Sequence, residues 1–158
     1  MGFTDERAGT SRLNSLAEWA GYLGVVPLVL CLAGVGLLPD YAGRELAQRG
    51  ALAWGAVWLA SAGAVHWGVA LAGRANWDAA RLGGVLAPAL FGALGVVLGG
   101  QRGLAVLAVG CGGFWLYEQR NLGAGLPPAY LNLRRQLTLA SAMLLALTMF
   151  VSDATGLS

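Results

Sequence analysis

The sequence predicts an all-α protein, a polytopic transmembrane bundle of five helices with its N-terminus cytoplasmic and its C-terminus outside. Three observations predict it. Ala51 to Gly73 is a 23-residue run without charge or proline, and at 1.5 Å per residue it reaches roughly 34 Å, enough to cross a hydrocarbon core. The whole chain of 158 residues is 57% hydrophobic and only 11% charged, a composition that belongs to membrane proteins. Four further apolar runs alternate with short polar connections, and arginine is unevenly shared between alternate connections.

Residues 1–18 form a polar N-terminal arm containing Asp5, Glu6, Arg7, Arg12 and Glu18. The two acidic residues near its start exclude a basic signal-peptide n-region and an acid-poor transit peptide. The membrane domain, residues 19–151, begins with a span over 19–38 that opens on Trp19 and Tyr22, rings suited to the headgroup boundary. Pro27 lies inside it and is expected to kink it, freeing a carbonyl for a neighbour to satisfy. Asp40 to Gly50 reads as a polar connection, in part a surface helix.

The second span, 51–73, is the long run itself and carries the only histidine, His66. The third span covers 82–99, with Pro88 as a second kink site. A turn around Gly99 to Gly103 is needed, because Leu82 to Tyr117 as one helix would reach about 54 Å. The fourth span, 104–119, is the shortest, and Cys111-Gly112-Gly113 weakens its helix propensity. After a Gly/Pro loop at Gly123 to Pro128 comes the fifth span, 133–151, where Thr138, Ser141 and Thr148 are expected to bond within their own helix. Residues 152–158 make a short polar tail.

Seven arginines (7, 12, 74, 81, 120, 134 and 135) fall on the side of the N-terminus and three (44, 49 and 102) on the other. That excess sets the expected orientation.

Around the second helix, Ala56, Ala60, Ala64, Gly68 and Ala72 recur every four residues. They form a small-residue stripe expected to pack a neighbouring helix. Trp54 and Trp58 project together on another face. His66 lies six residues before Ala72, about 9 Å from the cytoplasmic end, the same end as Glu118, Arg134 and Arg135. The expectation is a polar cluster of these four residues, with His66 neutral and hydrogen-bonded and Glu118 paired to an arginine.

Other chemistry is poorly provided for. A formal charge of +2 gives no reason to expect nucleic-acid binding. Cys31 and Cys111 sit inside apolar runs as buried thiols, without the clustered ligands of a metal site. One histidine cannot supply two-histidine haem ligation. Phosphate-binding loops, Ser/His/Asp orders and inverted repeats are all missing. No catalytic residue and no cofactor are therefore expected.

Three segments carry a resemblance: AGYLGVVP at 20–27, AVHWGVAL at 64–71 and YLNLRRQLTLA at 130–140. Together they resemble a family of small multi-pass membrane proteins with a domain of unknown function, a family that includes mitochondrial transmembrane protein sixty-nine. The resemblance implies a multi-pass inner-membrane protein and transfers no catalytic residue. Tyr117-Glu118-Gln119-Arg120 departs from its pattern, which there has a more apolar, Gln-containing segment ending in Asp-Arg.

The expected function is that of a non-catalytic accessory, assembly or packing subunit of a larger membrane complex, in the bacterial inner membrane. Its partners would be membrane lipids and other membrane-protein subunits. One alternative is a small transporter or proton-conducting protein using His66 and Glu118. Another is a lipid-, quinone- or pigment-binding bundle with Trp54, Trp58, Trp67 and Trp115 lining a groove.

Overall fold

The computed structural model describes residues 5–73, 78–121 and 128–157. These form five α-helices, α1 (Asp5–Leu37), α2 (Tyr41–Leu71), α3 (Ala79–Leu98), α4 (Gly100–Asn121) and α5 (Pro128–Ala154), with no strand among the described residues. Three stretches, Glu18–Leu37, Ala79–Leu98 and Ala129–Ala154, are long and apolar enough to cross a membrane. In α2 the tryptophans, glycines and His66 dilute an otherwise apolar run, and in α4 the glycines and the terminal Tyr-Glu-Gln-Arg do the same.

The helices outrun the apolar runs that predicted them. From Asp5 the polar arm is already helical and continuous with the first span; residues 1–4 lie outside the described residues. The polar connection after Asp40 is the first turns of α2, because Asp40 caps it by accepting from the Gly43 amide at 2.6 Å and no proline intervenes before the apolar part. Asp78 caps α3 likewise, accepting from the Arg81 amide at 2.7 Å. The turn between α3 and α4 is only Gly99 and Gly100, at φ +62° and +49°, a backbone region that glycine adopts without penalty. Gln101 to Gly103 therefore belong to α4, whose 22 residues make it longer than the span expected over 104–119. Arg74 and the Gly123 to Pro127 part of the Gly/Pro loop lie outside the described residues. Pro128 opens α5, a position where its missing N–H costs nothing.

Consecutive helices run antiparallel. Gly34 of α1 meets Ala47 near the start of α2 while Gly24 lies under the Trp58 ring further along it. On α3, Gly84 faces His66 and Gly92 faces Ala56. Gly95 of α3 touches Gly103 of α4, and Gly110 lies near Phe91. The last pair is held at one end by Glu118 with Arg134 and at the other by Gln101 donating to Asp153 at 2.9 Å. α2 touches each of the other four helices, whereas α1 touches only α2 and α5. The core is built on Leu28, Leu52, Leu59, Leu104, Leu107 and Leu145, all buried.

Glycine sets the closeness of the α2–α3 contact. A Cβ on Gly63 would stand 2.8 Å from the Val85 carbonyl, and one on Gly92 would stand 3.0 Å from that of Ala56. The small-residue stripe serves this contact only in its first half. Ala56 and Ala60 are half-buried, but Ala64, Gly68 and Ala72 are exposed, and an added Cβ on Gly68 would touch nothing. The reason is geometric. Four residues turn the helix by 400°, so a stripe of every fourth residue advances 40° per step and winds about 160° between Ala56 and Ala72. The face that stays inside is instead Leu52, Gly55, Leu59, Gly63, His66 and Ala70.

Pro27 and Pro88 both sit inside helices that run on through them. Near Pro27, the Trp54 indole of α2 donates to the Gly24 carbonyl at 2.8 Å, one residue beyond the carbonyl that the proline frees. The C-terminal tail is an integral part of the fold. Leu157 donates its amide to the Ser152 carbonyl at 2.8 Å and Gly156 to Asp153 at 3.1 Å, with Gly156 at φ +74°, which is a Schellman cap. It buries Leu157 and brings its carbonyl to the buried Gln48 amide at 3.5 Å.

Candidate functional site

The C-terminal parts of α2 and α4 and the N-terminal parts of α3 and α5 meet at one end of the bundle, and there the chain buries its charge. Arg134 enters from α5. Its Nε donates to Glu118 Oε2 at 2.7 Å, and its Nη2 donates to Glu118 Oε1, a bidentate pair of the strongest kind that side chains form. The same Nη2 donates to the Ala62 carbonyl of α2 at 2.7 Å, and Nη1 donates to the Tyr130 hydroxyl at 3.1 Å. One guanidinium thus ties α2, α4 and α5 together. Glu118 is 5% exposed, so its charge depends on this partner.

His66 is completely buried, between three elements. Its ring lies 5.7 Å from those of Phe114 and Tyr117 of α4. On the other side it rests against Gly84 of α3, where an added Cβ would stand 2.8 Å from Nδ1. Its Nε2 is 3.7 Å from Glu118 Oε1, beyond hydrogen-bond length. Neither ring nitrogen has a hydrogen-bond partner. The expectation of a hydrogen-bonded His66 is corrected here, because Arg134 holds both Glu118 oxygens while packing against Gly84 and the two aromatic rings fixes the imidazole. Pro88 adds polarity to the same contact, since it cannot donate to the Gly84 carbonyl four residues back. The Tyr117 hydroxyl donates to the Ala80 carbonyl of α3 and closes the cluster from above.

Of the four residues expected together, the structure joins His66, Glu118 and Arg134. Arg135 points elsewhere, its guanidinium 5.9 Å above the Trp115 ring, because a helix turns 100° between neighbours. The tryptophans do not converge on a groove. Trp54 and Trp58 face α1, Trp115 lies under Arg135 and Trp67 is half exposed. Cys31 and Cys111 are free thiols, and no metal-binding group of His, Cys, Asp and Glu exists among the described residues.

Sequence reasoning missed Gly84, Tyr130 and the Ala62 carbonyl. The first had a signal, a glycine four residues before Pro88. The other two depend on which helices are lateral neighbours. Thr138 is a further correction. Ser141 and Thr148 donate to the carbonyls of Leu137 and Leu144, each at 2.8 Å, whereas Thr138 makes no such bond and borders a cavity between α1, α2 and α5.

An antiparallel bundle of helices, the only regular structure among the described residues, with an apolar outer surface, three stretches long and apolar enough to span a membrane and a largely buried ion pair, defines the class, a small helical protein suited to a membrane. The family model described as "Protein of unknown function (DUF3429)" matches residues 13–150, and the chain belongs to this family. No curated protein and no solved structure matches it.

Proposed function

We propose that this protein is a five-span, non-catalytic accessory or assembly subunit that docks against a larger membrane complex through the exposed small-residue face of α2. The observation that carries the reading is the outer half of the stripe. Ala64 and Gly68 lie exposed on the helix that otherwise forms the centre of the bundle, with Ala72 exposed at its C-cap, and small residues of this kind let a second helix approach closely within a bilayer. Charge, by contrast, is spent inside on a lock. Five crossings follow from the order of the helices: α1, α3 and α5 run in one direction, so if they cross, α2 and α4 must cross back. The arginine excess supports a cytoplasmic N-terminus. The resemblance of 20–27, 64–71 and 130–140 to the family of small multi-pass membrane proteins that includes mitochondrial transmembrane protein sixty-nine supports an inner membrane, which we propose is the bacterial one.

Mild detergent extraction followed by native gels tests this. The protein is expected in a larger assembly that Gly68→Leu dissolves without altering the isolated chain's helix content. A stable monomer with no co-purifying subunit would overturn it. A second reading, a proton-handling membrane protein, is favoured by the unpartnered His66 ring beside Glu118. Under that reading His66→Ala inserts normally yet abolishes a proton flux measured in vesicles, and an unchanged flux disposes of it.

A further inference from the structure

The cavity of about 190 Å³ between α1, α2 and α5 is lined by Trp58, Ser61, Tyr130, Arg134 and Thr138 together with apolar side chains. Its hydrogen-bond accounts do not balance. Ser61 spends its proton on the Trp58 carbonyl at 2.7 Å. The Tyr130 hydroxyl accepts from Arg134, but its own proton has no acceptor, and neither has that of Thr138. Arg134 has five N–H groups, of which Glu118 takes two, Ala62 one and Tyr130 one; one on Nη1 remains. The cavity wall therefore carries two unspent hydroxyl protons, those of Tyr130 and Thr138, beside an Arg134 with one N–H to spare, and at membrane depth an unmade hydrogen bond is costly.

We infer that this cavity binds the carbonyl head of a neutral membrane amphiphile. Donors without acceptors call for a ligand rich in acceptor oxygens. Glu118 already neutralises Arg134, so the cavity offers donors without surplus positive charge and favours a neutral carbonyl over a phosphate. The volume lies below the usual range for whole ligand pockets and takes a head, leaving an apolar tail to run along the outside of the bundle; Trp58 supplies a flat apolar wall. Tyr130 and Thr138 are eight residues apart, about 12 Å along α5, so they address different oxygens, Tyr130 nearer the end of the bundle and Thr138 deeper. Two sources carry this chemistry, the ester carbonyls of a glycerolipid and the ring carbonyls of a quinone.

Native mass spectrometry of the full chain in detergent separates them, with decylubiquinone, diester phosphatidylcholine and its diether analogue as probes. Saturable binding of decylubiquinone assigns a quinone. Retention of the diester lipid but not the diether assigns a glycerolipid. Thr138→Val, which breaks no bond of the fold, is expected to weaken the bound ligand about fivefold and leave the melting temperature unchanged. Saturable binding of none of the probes, equal retention of diester and diether lipids without quinone binding, or undiminished binding by Thr138→Val would overturn the inference.

Discussion

Glu118 and Arg134 are each the condition for burying the other. Removing one partner of a buried pair costs about 3–5 kcal/mol, whereas replacing both with apolar side chains is far milder. Arg134→Leu is therefore expected to lower the melting temperature of the detergent-solubilised protein sharply, and Glu118→Leu/Arg134→Leu to recover much of the loss. A double variant as unstable as the single one would contradict this. Gly84 sets the second residue-scale prediction. Gly84→Ala drives a methyl group into the His66 ring and should cost about 1–3 kcal/mol, while in a His66→Ala background the same change should cost little, a coupling that a double-mutant cycle in thermal unfolding reads directly. His66, Glu118 and Arg134 were legible as one group because charge near the same end of several spans seeks a partner. The empty hydrogen-bonding positions of His66 were not legible, since they depend on which arginine reaches the glutamate first.

α2 has two faces of small residues with opposite duties. Gly63→Val and Gly68→Val are chemically the same change five residues apart. The first collides with the Val85 carbonyl and should destabilise the bundle by more than about 2 kcal/mol; the second meets nothing and should leave unfolding in detergent unchanged. Equal melting temperatures for the two would refute the assignment of inner and outer faces. The extent of the helices was only partly readable, because hydropathy marks the part of a helix that suits a membrane and says nothing about where hydrogen bonding stops. Tyr41 to Gly50 contains no proline, carries its two glycines at 43 and 50 within the helix, and follows a capping aspartate, so it joins α2 despite its charges. The stripe misled for a related reason, as a repeat of four is not the 3.6 of the helix.

For the whole molecule, the up-and-down order makes orientation a single choice shared by all five helices. Alkaline phosphatase fused after Leu157 is expected to be active outside the cytoplasm, and the same enzyme fused before Asp5 inactive; the reverse pattern would invert the proposed topology. The alternation itself was legible from apolar runs and short connections. The closure was not, because α1 seats against α5, its most distant neighbour in sequence, along a line where Gly21 meets Leu137. That closure bears on how the protein is made. A ribosome delivers α4 before α5, so Glu118 reaches the membrane ahead of the arginine that neutralises it, and α1 waits through the synthesis of three helices for half of its seat. The last helix to emerge is the keystone, and a chain stalled before Arg134 holds an orphan carboxylate that membrane quality control can recognise.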